Sequence, residues 1–185
     1  IEYVFAHRHS QPYPQEQFKV YGPLIKLPRV CEHKKIKYFY KFRTMHPYAE
    51  YIQQYVFDAR GGMDIADKSN DDWRITTWGR FMRKYWLDEL PMLINWIKRD
   101  MKLVGVRPIS KTMFDTYPEW LQEKRTLCKP GLIPPFYIDH PKTFDELFAS
   151  EDKYLTEYLA HPFRTDVKYF FLTMWSILTR KTHSA

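Results

Sequence analysis

Cysteine is scarce: only Cys31 and Cys128 occur in 185 residues. Two thiols make no disulfide framework, so a reducing, cytosolic setting is expected. Zinc-type spacing is missing too, because the seven histidines are scattered and His7 with His9 reads as a solvated pair. No apolar run reaches the roughly 20 residues of a spanning helix. The longest, 167–178, is interrupted by Lys168. Signal-peptide patterning, internal repeats and low-complexity tracts are absent as well. Negative charge is in deficit, 22 acidic against 29 basic residues, leaving a net charge of +7. That balance calls for an anionic partner: phosphate groups, anionic lipid or nucleic acid. The chain begins at Ile1 rather than Met, which reads as part of something longer.

What is abundant is aromatic. Phe, Trp and Tyr make up 18% of the chain, and rings with one polar end suit interfaces, the membrane boundary included, as well as cores. Hydrophobic content of 44% excludes whole-chain disorder, and the length suits one domain. Residues 1–21, broken by Pro12 and Pro14, read as an irregular lead-in, and 22–185 as one folded domain. From Lys35 to Arg43, Ile36, Tyr38, Tyr40 and Phe42 alternate with mostly basic residues, the period of a half-buried strand. Its partner is 24–30, with a turn across 32–34, so one face should be apolar and the other basic. Helical spacing follows over 48–59, stopped by Gly61-Gly62, then a polar loop over 64–73. Further helices are expected over 76–84, from Asp88 to Met101, and over 110–127 apart from Pro118. A loop at 104–108, a stiff proline connector over 130–135 and two final helices, 144–159 and 163–178, complete the chain. The fold class is α+β, mostly α: helices around one small antiparallel hairpin, with amphipathic membrane-surface helices. The last helix, with Phe170, Phe171 and Trp175 on one stripe and Lys168, Arg180 and Lys181 elsewhere, suits either a core or the headgroup plane.

The densest chemistry lies between Arg74 and Pro91. Asp88 and Glu89 stand together at an expected helix start, with Pro91 inside the first turn where a missing amide donor costs nothing. Such a pair commonly caps a helix. Here Arg80, Arg83 and Lys84 precede it within a turn and a half, and Gly105 and Arg107-Pro108 follow, with Gly105 permitting a tight turn. Cations around a helix N-terminus make a phosphate site, and a carboxylate inside one is a nucleophile or a metal ligand. The N-terminus would also keep Asp88 ionised. Lys41 and Arg43 point away from the apolar strand side, toward either substrate or solvent. Arg74 and Arg80 have Asp71, Asp72 and Asp100 as alternative partners, and Asp100 reads as structural.

Five motifs in register give this region a family. Lys41-Phe42-Arg43-Thr44-Met45, Arg74-Ile75-Thr76 with Gly79-Arg80, Leu87-Asp88-Glu89-Leu90-Pro91, Leu103-Val104-Gly105 with Arg107-Pro108, and Lys129-Pro130-Gly131 follow in order. Together they resemble the bacterial sugar transferases, monotopic phosphoglycosyl transferases that start glycan and polysaccharide assembly. The resemblance runs from about Gly22 to Thr182. It implies that Asp88 attacks the sugar-bearing phosphorus of a UDP-sugar, and that a polyprenyl phosphate then accepts the sugar phosphate. It also implies Mg2+ on Glu89, substrate contacts from Lys41, Arg43, Arg80, Arg107 and Pro108, and a seat on the cytoplasmic face of the bacterial inner membrane. A late acidic position of the family fits Glu151 or Asp152.

The match departs at the N-terminal side. Members usually carry an apolar re-entrant helix before the Gly-Pro that opens the hairpin, whereas residues 14–21 here are polar. A divergent branch, anchored by another region or docked through surface elements alone, is expected. Cys31 also stands where a glycine is common, and Pro134-Pro135 replaces the usual small residue. Two rivals share the basic composition. A non-catalytic scaffold of the same fold would lack Asp88-dependent UMP release. A nucleic-acid-binding module would weaken steeply with salt, and a carboxylate pair amid the cations argues for no nucleic acid.

Overall fold

Strands β1 (Leu24–Val30) and β2 (Ile36–Phe42) pair antiparallel, from Leu24 opposite Phe42 to Val30 opposite Ile36. This is the hairpin that the alternation predicts. Its tight turn, Glu32–Lys34, needs His33 and Lys34 at φ of 56° and 58°. The faces, however, are the reverse of expectation. Ile36 and Tyr38 are 48% and 40% exposed, whereas Phe39 is buried and Lys37 and Lys41 lie on its side. Each inward lysine meets a carboxylate: Lys37 bonds Asp100 at 2.8 Å and Lys41 bonds Glu89 at 2.6 Å. Those pairs offset the desolvation of the ammonium groups. Alternation says that two faces differ; packing decides which turns inward.

The structure, a computed structural model, describes residues 22–50, 52, 55 and 72–180. The lead-in expected over 1–21 lies outside the described residues. So do most of the helix expected over 48–59, its glycine stop and the loop that follows.

Helix α1 (Thr77–Lys84) starts at Thr76, whose hydroxyl accepts from the Gly79 amide at 2.9 Å. A Cβ on Gly79 would sit 2.0 Å from the Thr44 carbonyl oxygen, so the helix lies directly on the segment leaving β2. Trp86 then takes a left-handed φ of 56°, and a 3-10 turn, Leu87–Glu89, leads through Pro91 into the short α2 (Met92–Ile97). Asn95 fastens α2 to β2. Fully buried, it accepts from the Tyr40 amide at 3.0 Å and donates to the Tyr38 carbonyl at 2.8 Å. As expected for a structural residue, Asp100 completes this seam through Lys37.

β3 (Lys102–Val104), α3 (Lys111–Asp115), α4 (Glu119–Arg125) and β4 (Gly131–Ile133) form a parallel crossover, with Lys102 opposite Gly131 and Val104 opposite Ile133. The expected loop at 104–108 and proline connector at 130–135 therefore both contain strand. Three-residue strands are too short to show a period. Gly105 lies against Gly131, and a Cβ on Gly131 would lie 2.0 Å from the Gly105 nitrogen. Every atom in the way is backbone, so nothing can swing aside. Gly131→Ala should cost about 3 kcal/mol or more in urea unfolding. Gly22→Ala, with nothing within 4 Å of the added carbon, should leave the midpoint unchanged.

The short α5 (Phe136–Asp139) is followed by α6 (Phe144–Ala160) and α7 (Pro162–Arg180), close to their expected limits. The main core gathers Val104, Leu121, Tyr154, Leu155 and Tyr169 between the parallel strands and these helices. Lys102 bonds Asp166 at 2.8 Å and Tyr154 at 2.8 Å, tying β3 to α7. Cys31 and Cys128 are buried and free, and burial pushes both thiols up to about 11, so neither is a nucleophile at neutral pH. The class is α+β, mostly α, with one antiparallel hairpin and one parallel pair.

Candidate active site

The hairpin, the turn before α2 and the segment after β3 converge on Glu89. Its Oε1 accepts from Lys41 at 2.6 Å and from Arg107 at 3.2 Å. β2 delivers Lys41 and the segment after β3 delivers Arg107. Trp86 fixes the turn that carries the acids: its indole donates to the Tyr137 hydroxyl at 3.2 Å. Burial would raise Glu89, but Lys41 and Arg107 together outweigh it and hold the carboxyl below its usual range. Burial also lowers the Lys41 ammonium, and Arg107 adds to that against the pull of Glu89.

Asp88 differs from expectation. It does not cap α2, which starts four residues later. It is buried, and its Oδ1 has no hydrogen-bond partner. Burial raises its pKa and the Glu89 charge adds to this, while Lys41, Arg83 and Arg107 pull it back. An orphaned, destabilised carboxylate oxygen among three cations is poised to give up its charge to an electrophile or a cation.

Two cavities flank Glu89. A polar cleft of about 60 Å³ is lined by Lys41, Glu89, Arg107 and Pro108, with Gly131, Leu132 and Pro134. A larger, almost wholly apolar hollow of about 320 Å³ shares Glu89 and Leu132 with it. Asp88 lines neither cavity and precedes by one residue the carboxylate that lines both.

A buried relay stands behind Arg107. Glu151 of α6 pairs with Arg125 of α4, both buried, and Arg125 donates to the Arg107 carbonyl at 2.7 Å. Asp152 instead pairs with Lys124 at the surface. Of the two candidates for the late acidic position, only Glu151 connects to the site. Arg125 was absent from the sequence reading, although a signal existed. It falls four residues after Leu121, and Glu151 four after Leu147 and four before Leu155, so each charge interrupts an apolar helical stripe.

The structure thus brings Lys41, Asp88, Glu89, Arg107 and Pro108 together. Arg80 is exposed on α1, and Arg83 of the same helix is the cation that acts on Asp88, with its Nε on the Thr44 hydroxyl at 3.0 Å. Arg43 donates to the Gly22 carbonyl at 3.3 Å. Arg74 bonds Asp72, one of its three foreseen alternatives. Among the described residues no group of three or more His, Cys, Asp or Glu could enclose a metal. A magnesium ion here would rest on Glu89, beside the orphaned Asp88 oxygen, and on substrate oxygens, a donor set that ion accepts.

The family model described as bacterial sugar transferase matches residues 17–180. The galactosyl transferase CpsE of Streptococcus agalactiae is 34% identical over 161 residues, 85% of this chain and 35% of that protein. The undecaprenyl-phosphate galactose phosphotransferase of Salmonella typhimurium is 38% identical over 108 residues, 56% of this chain and 22% of that protein. The UDP-glucose:undecaprenyl-phosphate glucose-1-phosphate transferase of Caulobacter vibrioides is 36% identical over 94 residues, 50% of this chain and 31% of that protein. The chain spans about a third or less of the length of these three relatives.

Proposed function

The chain belongs to the bacterial sugar transferase family, and from that premise we propose that it moves a sugar 1-phosphate from a UDP-sugar to a polyprenyl phosphate through a covalent intermediate on Asp88. The observation that carries the reading is the buried, unpartnered Asp88 oxygen set against Lys41, Arg83 and Arg107.

In the first step an Asp88 oxygen bonds to the sugar-bearing phosphorus. The bond from that phosphorus to the bridging oxygen breaks, and UMP leaves with the electron pair. In the second, a phosphate oxygen of the acceptor attacks the same phosphorus, the acyl-phosphate bond breaks, and the Asp88 carboxylate is restored. Two modest displacements replace one difficult one. Lys41 and Arg107 orient the diphosphate and offset the charge that gathers on its oxygens. Mg2+ on Glu89 would supply further neutralisation of that diphosphate when bound. Exposed rings on α1 and at its C-terminal end (Trp78, Phe81, Tyr85) and on α7 (Phe163, Phe171, Trp175) support docking on a membrane surface, in this reading the cytoplasmic face of the inner membrane. No helix among the described residues is long and apolar enough to cross a bilayer.

Incubation with a panel of UDP-sugars and Mg2+, followed by intact mass measurement, tests the proposal. The expected result is one adduct of a sugar phosphate with stoichiometric UMP; an adduct on any residue but Asp88 refutes it. The pH dependence of UMP release should be bell-shaped. Because Asp88 is raised, its ionised fraction grows only above the ordinary carboxylate range, which places the acid limb higher than about 4. Because Lys41 is lowered, the alkaline limb falls below the usual lysine range. Lys41→Gln removes a charge that holds Asp88 down, so its acid limb should move further up.

A further inference from the structure

The donor chemistry proposed above leaves the apolar hollow beside Glu89 without a role. Trp86, Leu90, Leu93, Tyr137, Met174 and Ile177 are among its walls, contributed by α2 with the turn before it, α5 and α7. Its size lies inside the range of about 300–1,000 Å³ typical of small-molecule sites. Two chemistries therefore abut at one carboxylate: a cationic cleft with Lys41 and Arg107, and a hydrocarbon-lined hollow. A nucleotide sugar has no use for the second half. A ligand with a phosphate head and a long hydrocarbon tail fits both at once.

Resting on the function proposed above, we infer that this hollow receives the head-proximal isoprene units of the polyprenyl acceptor while its phosphate enters the cleft beside Glu89. The walls that the two cavities share, Glu89 and Leu132, select this occupant. A bilayer phospholipid also carries a phosphate, but the ester groups between its phosphate and its acyl chains would lie unpaired against apolar walls, as would the backbone polar groups of a peptide. Held this way, the tail fixes where the attacking phosphate stands, so acceptor length is read at the start of the chain. Each buried methylene is worth about fourfold in affinity, and tail-length dependence should be steep until the hollow is full and flat beyond it.

The test uses water-soluble prenyl phosphates of ten and fifteen carbons with this chain in detergent. The KM ratio between the two is the readout, because loss of folded or active protein cancels from it. The fifteen-carbon acceptor should have a KM about tenfold lower or better, and Ile177→Trp, which fills the hollow from α7, should bring the ratio close to one. Leu93→Trp does the same from α2 and covers a folding failure of the first variant. Equal ratios in wild type and both variants overturn the inference. A farnesyl phosphate carrying a photoreactive tail group separates this site from the enzymatic reading, since labelling needs no turnover. Label on the peptides bearing Leu93 or Met174, competed by unlabelled prenyl phosphate, supports it even if no sugar is transferred. Label elsewhere, or label competed only by phospholipid vesicles, overturns it even if transfer is intact.

Discussion

Asp88→Asn should reduce turnover by at least about 10⁴-fold, the scale seen when a covalent nucleophile is removed, and should abolish the mass adduct. The same variant should be no less stable than the wild type. Asp88 has one buried oxygen without a partner and a pKa raised chiefly by burial, so its ionised form is an expense to the fold. A group whose folded pKa lies above its unfolded value contributes less as pH rises from the unfolded value through the folded one. The stability of the asparagine variant relative to wild type should therefore increase over that window and level off above it. A helix cap would behave oppositely, losing about 1 kcal/mol on substitution near neutral pH. Urea unfolding at acidic and at mildly alkaline pH distinguishes the two, and a clearly destabilised variant would return Asp88 to a structural role.

Glu151→Ala should destabilise the chain by about 3–5 kcal/mol, because it leaves Arg125 buried and uncompensated. Asp152→Asn breaks only a surface pair and should stay within about 1 kcal/mol. Stability alone would not show that the relay serves the site. The double variant Arg125→Met with Glu151→Leu removes both charges together, and such replacements are often neutral or stabilising. It also strips the Arg107 carbonyl of its donor at 2.7 Å. Folding should recover while UMP release stays about tenfold or more below wild type, the usual effect of losing an outer-shell support. Recovery of both would make the pair purely structural. Arg125 and Glu151 are on this account positioning residues that act through Arg107 on Glu89.

The parts of the site that were legible in the sequence are those written in consecutive residues. Leu87-Asp88-Glu89-Leu90-Pro91 and Arg107-Pro108 carry their chemistry within a few positions, and the hairpin announces itself by alternation. The charges on Arg125 and Glu151 were equally visible, but their meaning depends on a partner 26 residues away. Asn95 is harder still: a single amide that clamps α2 to β2 has no pattern around it to mark it.

Sequence by itself determined the acid pair, its cationic company, the β1–β2 pairing and the long final helices, because local periodicity and near-neighbour chemistry fix those. Tertiary structure alone decided that the basic face of β2 turns inward and that Arg83 rather than Arg80 acts on Asp88. It also decided that burial, not a helix end, sets the Asp88 charge. Each of these depends on which groups lose water together, and desolvation is a property of neighbours in space that order along a chain does not encode.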